Sequence, residues 1–143
     1  MAALSADKLR EYQDEPQKGY GPAGVDIFYE GAMLSWNTSG NLVPASDTAN
    51  ENFAGICTKY VDNSGGSAGD VNVEFEHGHV EKLAYSGSVT AAMAGESVTV
   101  VDDQTVGLAG DTTNDIEVGT IERHESGYVW VAIRRGYAAT VAA

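Results

Sequence analysis

The chain holds three histidines and a run of closely spaced carboxylates, and these are the side chains with chemistry to offer. His77, His79 and Glu81 occupy alternate positions. Alternate residues of a strand share one face at a spacing of about 7 Å. Such a row could hold a metal ion with one further ligand, and His124 is the remaining imidazole. Gly78 separates the first two histidines and marks a turn, which would spoil the alternation. The segment therefore reads as a solvent-facing polar hairpin. His77 and His79 stay as weak candidate metal ligands, and no cofactor is expected.

Glu74 and Glu76 share a strand face at a spacing suited to a pair of glycosidase carboxylates. Their alternation with Val71, Val73 and Phe75 explains them more simply, as the wet outer face of a sheet. Asp102-Asp103 and Asp111-Thr112-Thr113-Asn114-Asp115 offer oxygens to a calcium ion but lack the spacing of an EF-hand, and Asx-rich turns account for them. There is no Gly-x-Ser-x-Gly, no phosphate-cradling glycine loop and no cysteine pair. Cys57, the single cysteine, reads as a small buried apolar residue in a strand. Tyr128 and Trp130 read as core or subunit-interface aromatics. No catalytic residues are expected, and the protein is read as a non-enzyme.

The elements that would position these groups are strands and turns. Seventeen glycines punctuate short apolar runs, the pattern of an all-β chain. Strands are expected over 25–29, 31–36, 41–43, 53–62, 71–76, 79–85, 98–101, 104–108, 116–122 and 128–134. Residues 63–70 form a flexible glycine-rich turn, and 88–96 a helical turn or loop. Both faces of 128–133 are apolar, so that strand should be central. The fold class is a small β-barrel or β-sandwich over residues 21–143, preceded by a flexible N-terminal arm over 1–20. A short helix over 5–13 fits the arm's spacing, although a helix of that length is marginal alone. Residues 136–143 read as a last edge strand or a tail.

The net charge is −13, of which residues 1–24 carry −1 and the rest −12. An acidic surface repels phosphate, so direct binding to nucleic acid or to anionic membranes is not expected. The first residues run from Met1 through Ala6 straight into Asp7 and Lys8, without the pattern of a signal peptide. Synthesis in a cytoplasm is the corresponding expectation.

A series of segments carries a family resemblance in order along the chain. They are Phe28-Tyr29-Glu30-Gly31-Ala32, Gly40-Asn41-Leu42-Val43-Pro44-Ala45, Phe53-Ala54-Gly55-Ile56, and Tyr60-Val61-Asp62-Asn63-Ser64-Gly65-Gly66. They continue with Ala94-Gly95-Glu96-Ser97-Val98-Thr99-Val100-Val101, Val118-Gly119-Thr120-Ile121 and Gly127-Tyr128-Val129-Trp130-Val131-Ala132-Ile133. The pattern resembles the small capsid decoration, or cement, proteins of tailed bacteriophages. The His77-Gly78-His79 turn and the long N-terminal segment depart from it.

The resemblance implies a virion protein made in the bacterial host cytoplasm and bound to the outer capsid surface. Its partners would be the major capsid protein and itself, as a homotrimer or dimer. Bridging neighbouring subunits of the expanded shell would stabilise that lattice against the pressure of packaged DNA. The N-terminal segment would order on the shell and could add a strand to a capsid sheet edge. Leu4, Leu9 and Tyr12 are the bulky apolar side chains between Met1 and Pro16 and are the candidate anchors of this capsid-binding arm. Two other readings compete. One is a small β-barrel that binds a ligand or glycan, with a metal at the His77/His79 face. The other is a cupin-like metal enzyme, although cupins set the glutamate further along and need a second histidine motif.

Overall fold

The structure is a computed structural model that describes residues 3–13 and 15–134. The expected C-terminal strand or tail over 136–143 lies outside the described residues. The fold is all-β, as expected, and among the described residues the one helical element is a single 3-10 turn, Ala91–Met93. The strands are β1 (Tyr12–Gln13), β2 (Gln17–Pro22), β3 (Ile27–Phe28), β4 (Met33–Trp36), β5 (Leu42–Pro44), β6 (Asn52–Cys57), β7 (Val61–Asp62), β8 (Asn72–His77), β9 (Val80–Tyr85), β10 (Ser97–Val100), β11 (Thr105–Leu108), β12 (Glu117–Glu125) and β13 (Tyr128–Ile133).

The second half of the chain closes a five-stranded barrel in the order β9-β11-β10-β12-β13, with β13 pairing back onto β9. The β9–β11 contact is parallel and the others are antiparallel. Register shifts at Val98/Thr99 and Ile121/Arg123 bend β10 and β12, as closure of so small a ring requires. Val129, Val131 and Ile133 of β13 point into the core with Leu83, Tyr85, Val98, Val100, Val106, Val118 and Ile121. The strand pairs on both sides, with β12 and β9, but only one of its faces is core: Tyr128, 44% exposed, and Trp130 lie on the other, which the expectation of two buried faces did not foresee.

The first half forms the sheet β2-β8-β6-β4-β5. Just past β2, Ala23 bridges to Leu42 of β5, so the sheet curls almost onto itself. It encloses a second core of Phe28, Leu34, Trp36, Leu42, Val73 and Phe75. Trp36 and Phe75 meet edge to face with centroids 6.0 Å apart. Gly19 and Gly21 pass directly over these rings: a Cβ on Gly19 would run into Phe75, and one on Gly21 would come within 2.5 Å of Trp36. The Lys18-Gly19-Tyr20-Gly21 alternation is thus a packing pattern. Met33, Phe53 and Ile56 belong instead to the barrel's core, which joins the two halves.

Several expectations are corrected. The His77-Gly78-His79 turn does not close a hairpin. Gly78, at φ +76°, turns the chain out of one sheet and into the other, since β8 pairs with β2 and β6 whereas β9 pairs within the barrel. Of the residues expected on the wet face of 71–76, Glu76 is buried at 8% exposure. Val71, expected inside, is 42% exposed because β8 begins only at Asn72. The glycine-rich turn after β7 is pinned by Asn63, whose buried side-chain amide donates to the carbonyls of Ala23, Gly24 and Ser67. Residues 5–11 form no helix.

Candidate functional site

Residues 4–13 run extended as a strap across both halves of the fold. Leu4 N–H donates to Asp103 Oδ1 (2.8 Å), Lys8 N–H to the Glu30 carbonyl (3.0 Å), and Lys82 N–H to the Glu11 carbonyl (2.8 Å). Asp7 Oδ1 accepts from Glu30 N–H (2.9 Å), and β1 pairs with β9 through Tyr12 and Glu81. In the structure the segment lies on the domain through contacts to Glu30 on one side and to Asp103, Glu81 and Lys82 of the barrel on the other. Its strands β1 and β2 already lie in this chain's own sheets.

An extended segment sends alternate side chains to opposite sides. Here Lys8 and Arg10 turn inward, so Leu9 turns outward and is 94% exposed. The expected anchors separate accordingly. Leu4 packs against the second core, Leu9 faces solvent, and the Tyr12 side chain lies outside the described part of the structure.

Arg10 ends in a buried ion cluster. Its Nε lies 3.1 Å from Glu81 Oε2, and its Nη2 lies 3.1 Å from Glu81 Oε1 and 2.9 Å from Glu76 Oε1. Glu81 is 0% exposed and stands opposite Val131 in register, so it occupies the face that otherwise packs the core. A carboxylate there needs a counter-charge and hydrogen bonds. The two-pronged guanidinium contact supplies both. Burial acts to lower the Arg10 pKa, but the hydrogen bonds and charges of Glu81 and Glu76 outweigh it and raise the pKa above its ordinary value. Because Glu81 is an acceptor gripped by Arg10, His79 Nε2–H donates to its Oε1 at 2.6 Å.

This cluster decides what the histidine row can do. His79 is buried against Glu81, and His77, at the end of β8, packs its ring 5.7 Å from that of Phe75. His124 is exposed on β12, opposite Val129. Among the described residues, no three His, Cys, Asp or Glu side chains converge as a metal site. The glycosidase pairing also dissolves. Glu74 accepts from Thr58 Oγ1 and Tyr20 O–H, both at 2.6 Å, and these bonds hold its carboxyl below its ordinary value, the opposite of what a general acid needs. Asp102 Oδ1 accepts from Gln104 N–H, an Asx turn as expected, whereas Asp115 Oδ1 reaches back to accept from Gly110 N–H and Thr112 O–H. Cys57 is buried, and burial pushes its thiol up to about 11.

Beside the strap lies a groove of about 240 Å³ between Lys8, Leu9 and Glu11 on one side and Lys82, Ala84 and Tyr128 on the other. Lys82 Nζ bonds Glu11 (2.7 Å) and Glu125 (3.1 Å) and sits 4.7 Å from the Tyr128 ring centroid. The row continues across the barrel, where the Arg123 guanidinium lies 4.1 Å over Trp130, whose indole N–H donates to Glu125. Lys8 differs from these cations. It forms no ion pair among the described residues, and burial lowers its pKa. Sequence reasoning missed this groove because Lys8 and Lys82 converge only through the strap's path.

A second cleft, of about 340 Å³, lies between Glu51, Phe53, Asn114, Asp115, Glu117 and Arg134 and is walled mainly by polar groups. No helix among the described residues is long and apolar enough to cross a membrane. No protein-family profile matches the chain, and no curated protein matches it at a significant level.

Proposed function

We propose that this protein is a non-enzymatic virion component, a capsid decoration protein of a tailed bacteriophage. It binds the outside of the expanded head and bridges neighbouring major capsid subunits. Binding that favours the expanded lattice over the unexpanded one shifts the shell toward expansion and holds it there against packaged DNA. The ordered series of segments from Phe28 to Ile133 supports the family assignment, and the barrel agrees with the fold that family implies.

One structural observation carries the reading toward binding and away from chemistry. The reactive side chains singled out above are engaged in holding the fold, as in Arg10–Glu81–His79 and Tyr20–Glu74–Thr58. Apolar side chains stand exposed beside the groove, with Leu9 at 94% and Tyr128 at 44%. Exposed apolar and aromatic groups on one face mark a docking surface. The N-terminal strap, with Leu9 outward, faces the shell. Self-association as a trimer would multiply a weak contact through avidity.

The test is co-sedimentation of the full chain with undecorated, expanded heads of the parent phage, with light scattering of the free protein for its oligomeric state. Saturable pelleting with heads supports the reading. Failure to pellet at any concentration removes it.

A further inference from the structure

We propose that the groove beside the strap is the docking site for a segment of the shell protein that presents a carboxylate next to an apolar side chain. This rests on the decoration reading above and names the surface and the partner chemistry that reading leaves open.

The argument begins with charge. The chain carries −13 overall with eight lysines and arginines, yet Lys8, Lys82 and Arg123 gather on this one face. Lys82 is already held by Glu11 and Glu125, and Arg123 lies over Trp130. Of the two lysines on this face, Lys82 has carboxylates at ion-pair distance and Lys8 has none among the described residues, the charges of Glu81 and Asp103 reaching it only from further off. Its stem is fixed over Gly31, where an added Cβ would meet Lys8 Cγ at 2.7 Å, and its backbone N–H is held by Glu30. A half-buried ammonium with a fixed stem is a prepared receptor for an anion, because little conformational freedom is lost on binding.

The apolar part comes from Leu9 and Tyr128. They flank a hollow of about 240 Å³, room for one medium-sized side chain. Leu9 gains nothing from the strap's own packing, since Lys8 and Arg10 on either side of it make the contacts to the domain. A second copy of this chain is the poorer occupant of this face, because a two-fold contact would set Lys8, Lys82 and Arg123 against the same cations of the other copy. A shell segment carrying one carboxylate beside an apolar side chain satisfies Lys8 and covers Leu9 and Tyr128 together.

The experiment measures binding of the full chain to expanded heads by co-sedimentation for the natural sequence, Leu9→Ser, Lys8→Met and Lys8→Arg. Leu9 is exposed and methionine keeps the Lys8 stem, so each variant should melt like the parent. The expected result is a loss of about tenfold in affinity for Leu9→Ser and for Lys8→Met, with Lys8→Arg retaining most of the binding. If the parent pellets and all three variants pellet equally well, the groove is not the docking site while the decoration reading stands. If the parent itself does not pellet, that reading fails and the assignment of the groove fails with it. A drop in molar mass on Leu9→Ser, read by light scattering, would make the face an interface between copies and overturn the proposal.

Discussion

Arg10 and Glu81 lie seventy-one residues apart and form a two-pronged ion pair in which the Glu81 side chain is wholly buried. Glu81 sits on a barrel strand, opposite the core residue Val131 on one side and Tyr12 of the strap on the other. The barrel tolerates a charge there because the N-terminal strap delivers a guanidinium to it. Docking of the N terminus is therefore energetically coupled to the barrel it crosses.

Removing Arg10 should cost more than any exposed ion pair would. Arg10→Met leaves Glu81 and Glu76 without their cation, and breaking a buried pair from one side typically costs about 3 kcal/mol or more. The urea midpoint should fall with little change in slope. Adding Glu81→Gln should recover part of the loss, since the wholly buried position then carries no charge. An Arg10→Met protein that unfolds at the parent's midpoint would show that the cluster contributes nothing.

The glycines of β2 make a second, sharper test. Gly19→Ala and Gly21→Ala each drive a methyl group into an aromatic ring of the second core, and overpacking of this kind costs about 1–3 kcal/mol. Gly65→Ala, with nothing within 4 Å of its added Cβ, should leave the melting temperature nearly unchanged. Equal melting of all three variants would mean that Phe75 and Trp36 do not lie beneath β2.

Two carboxylates should make stability pH-dependent in the same direction. Burial acts to raise the Asp47 pKa, but bonds from Thr113 N–H and from the backbone and side chain of Asn114 outweigh it and hold the pKa down. Thr58 and Tyr20 hold Glu74 down likewise. A depressed folded value contributes stability that is fully present above the unfolded carboxylate pKa and is lost as pH falls through the folded one. Asp47→Asn should therefore melt below the parent at neutral pH, and the gap should narrow on acidification. A gap that is constant with pH would remove the charge on Asp47 as its cause.

The faces of strands were legible in the sequence, but their partners were not. Val73 and Phe75 alternate inward as periodicity predicts, while in β13 the inward Val129, Val131 and Ile133 were legible but the exposure of Tyr128 on the other face was not. The Gly78 turn was legible too, yet a local φ cannot say whether the next strand returns to the same sheet or enters another. What holds the strap to its own domain was not legible. Bulky apolar residues in a charged stretch draw the eye to Leu4 and Leu9, whereas the buried contact is made by Arg10, because a buried glutamate seventy-one residues away needs a cation. The groove then follows from the strap's path, which no local pattern encodes.

Cys57 offers a probe of the second core. The thiol is buried, donates to the Lys59 carbonyl at 3.1 Å, and is pushed up to about 11 chiefly by burial. The thiolate is the reactive form, so at pH 8 the native protein should react with an aromatic disulfide reagent far more slowly than the urea-unfolded chain. The native rate should follow opening of the fold, since the sulfur is shielded by the core that Phe28, Trp36 and Val73 share with it. Gly21→Ala should then raise that rate by the factor by which it lowers stability. If the thiol reacts at the unfolded rate in the folded parent, the second core is not closed over Cys57.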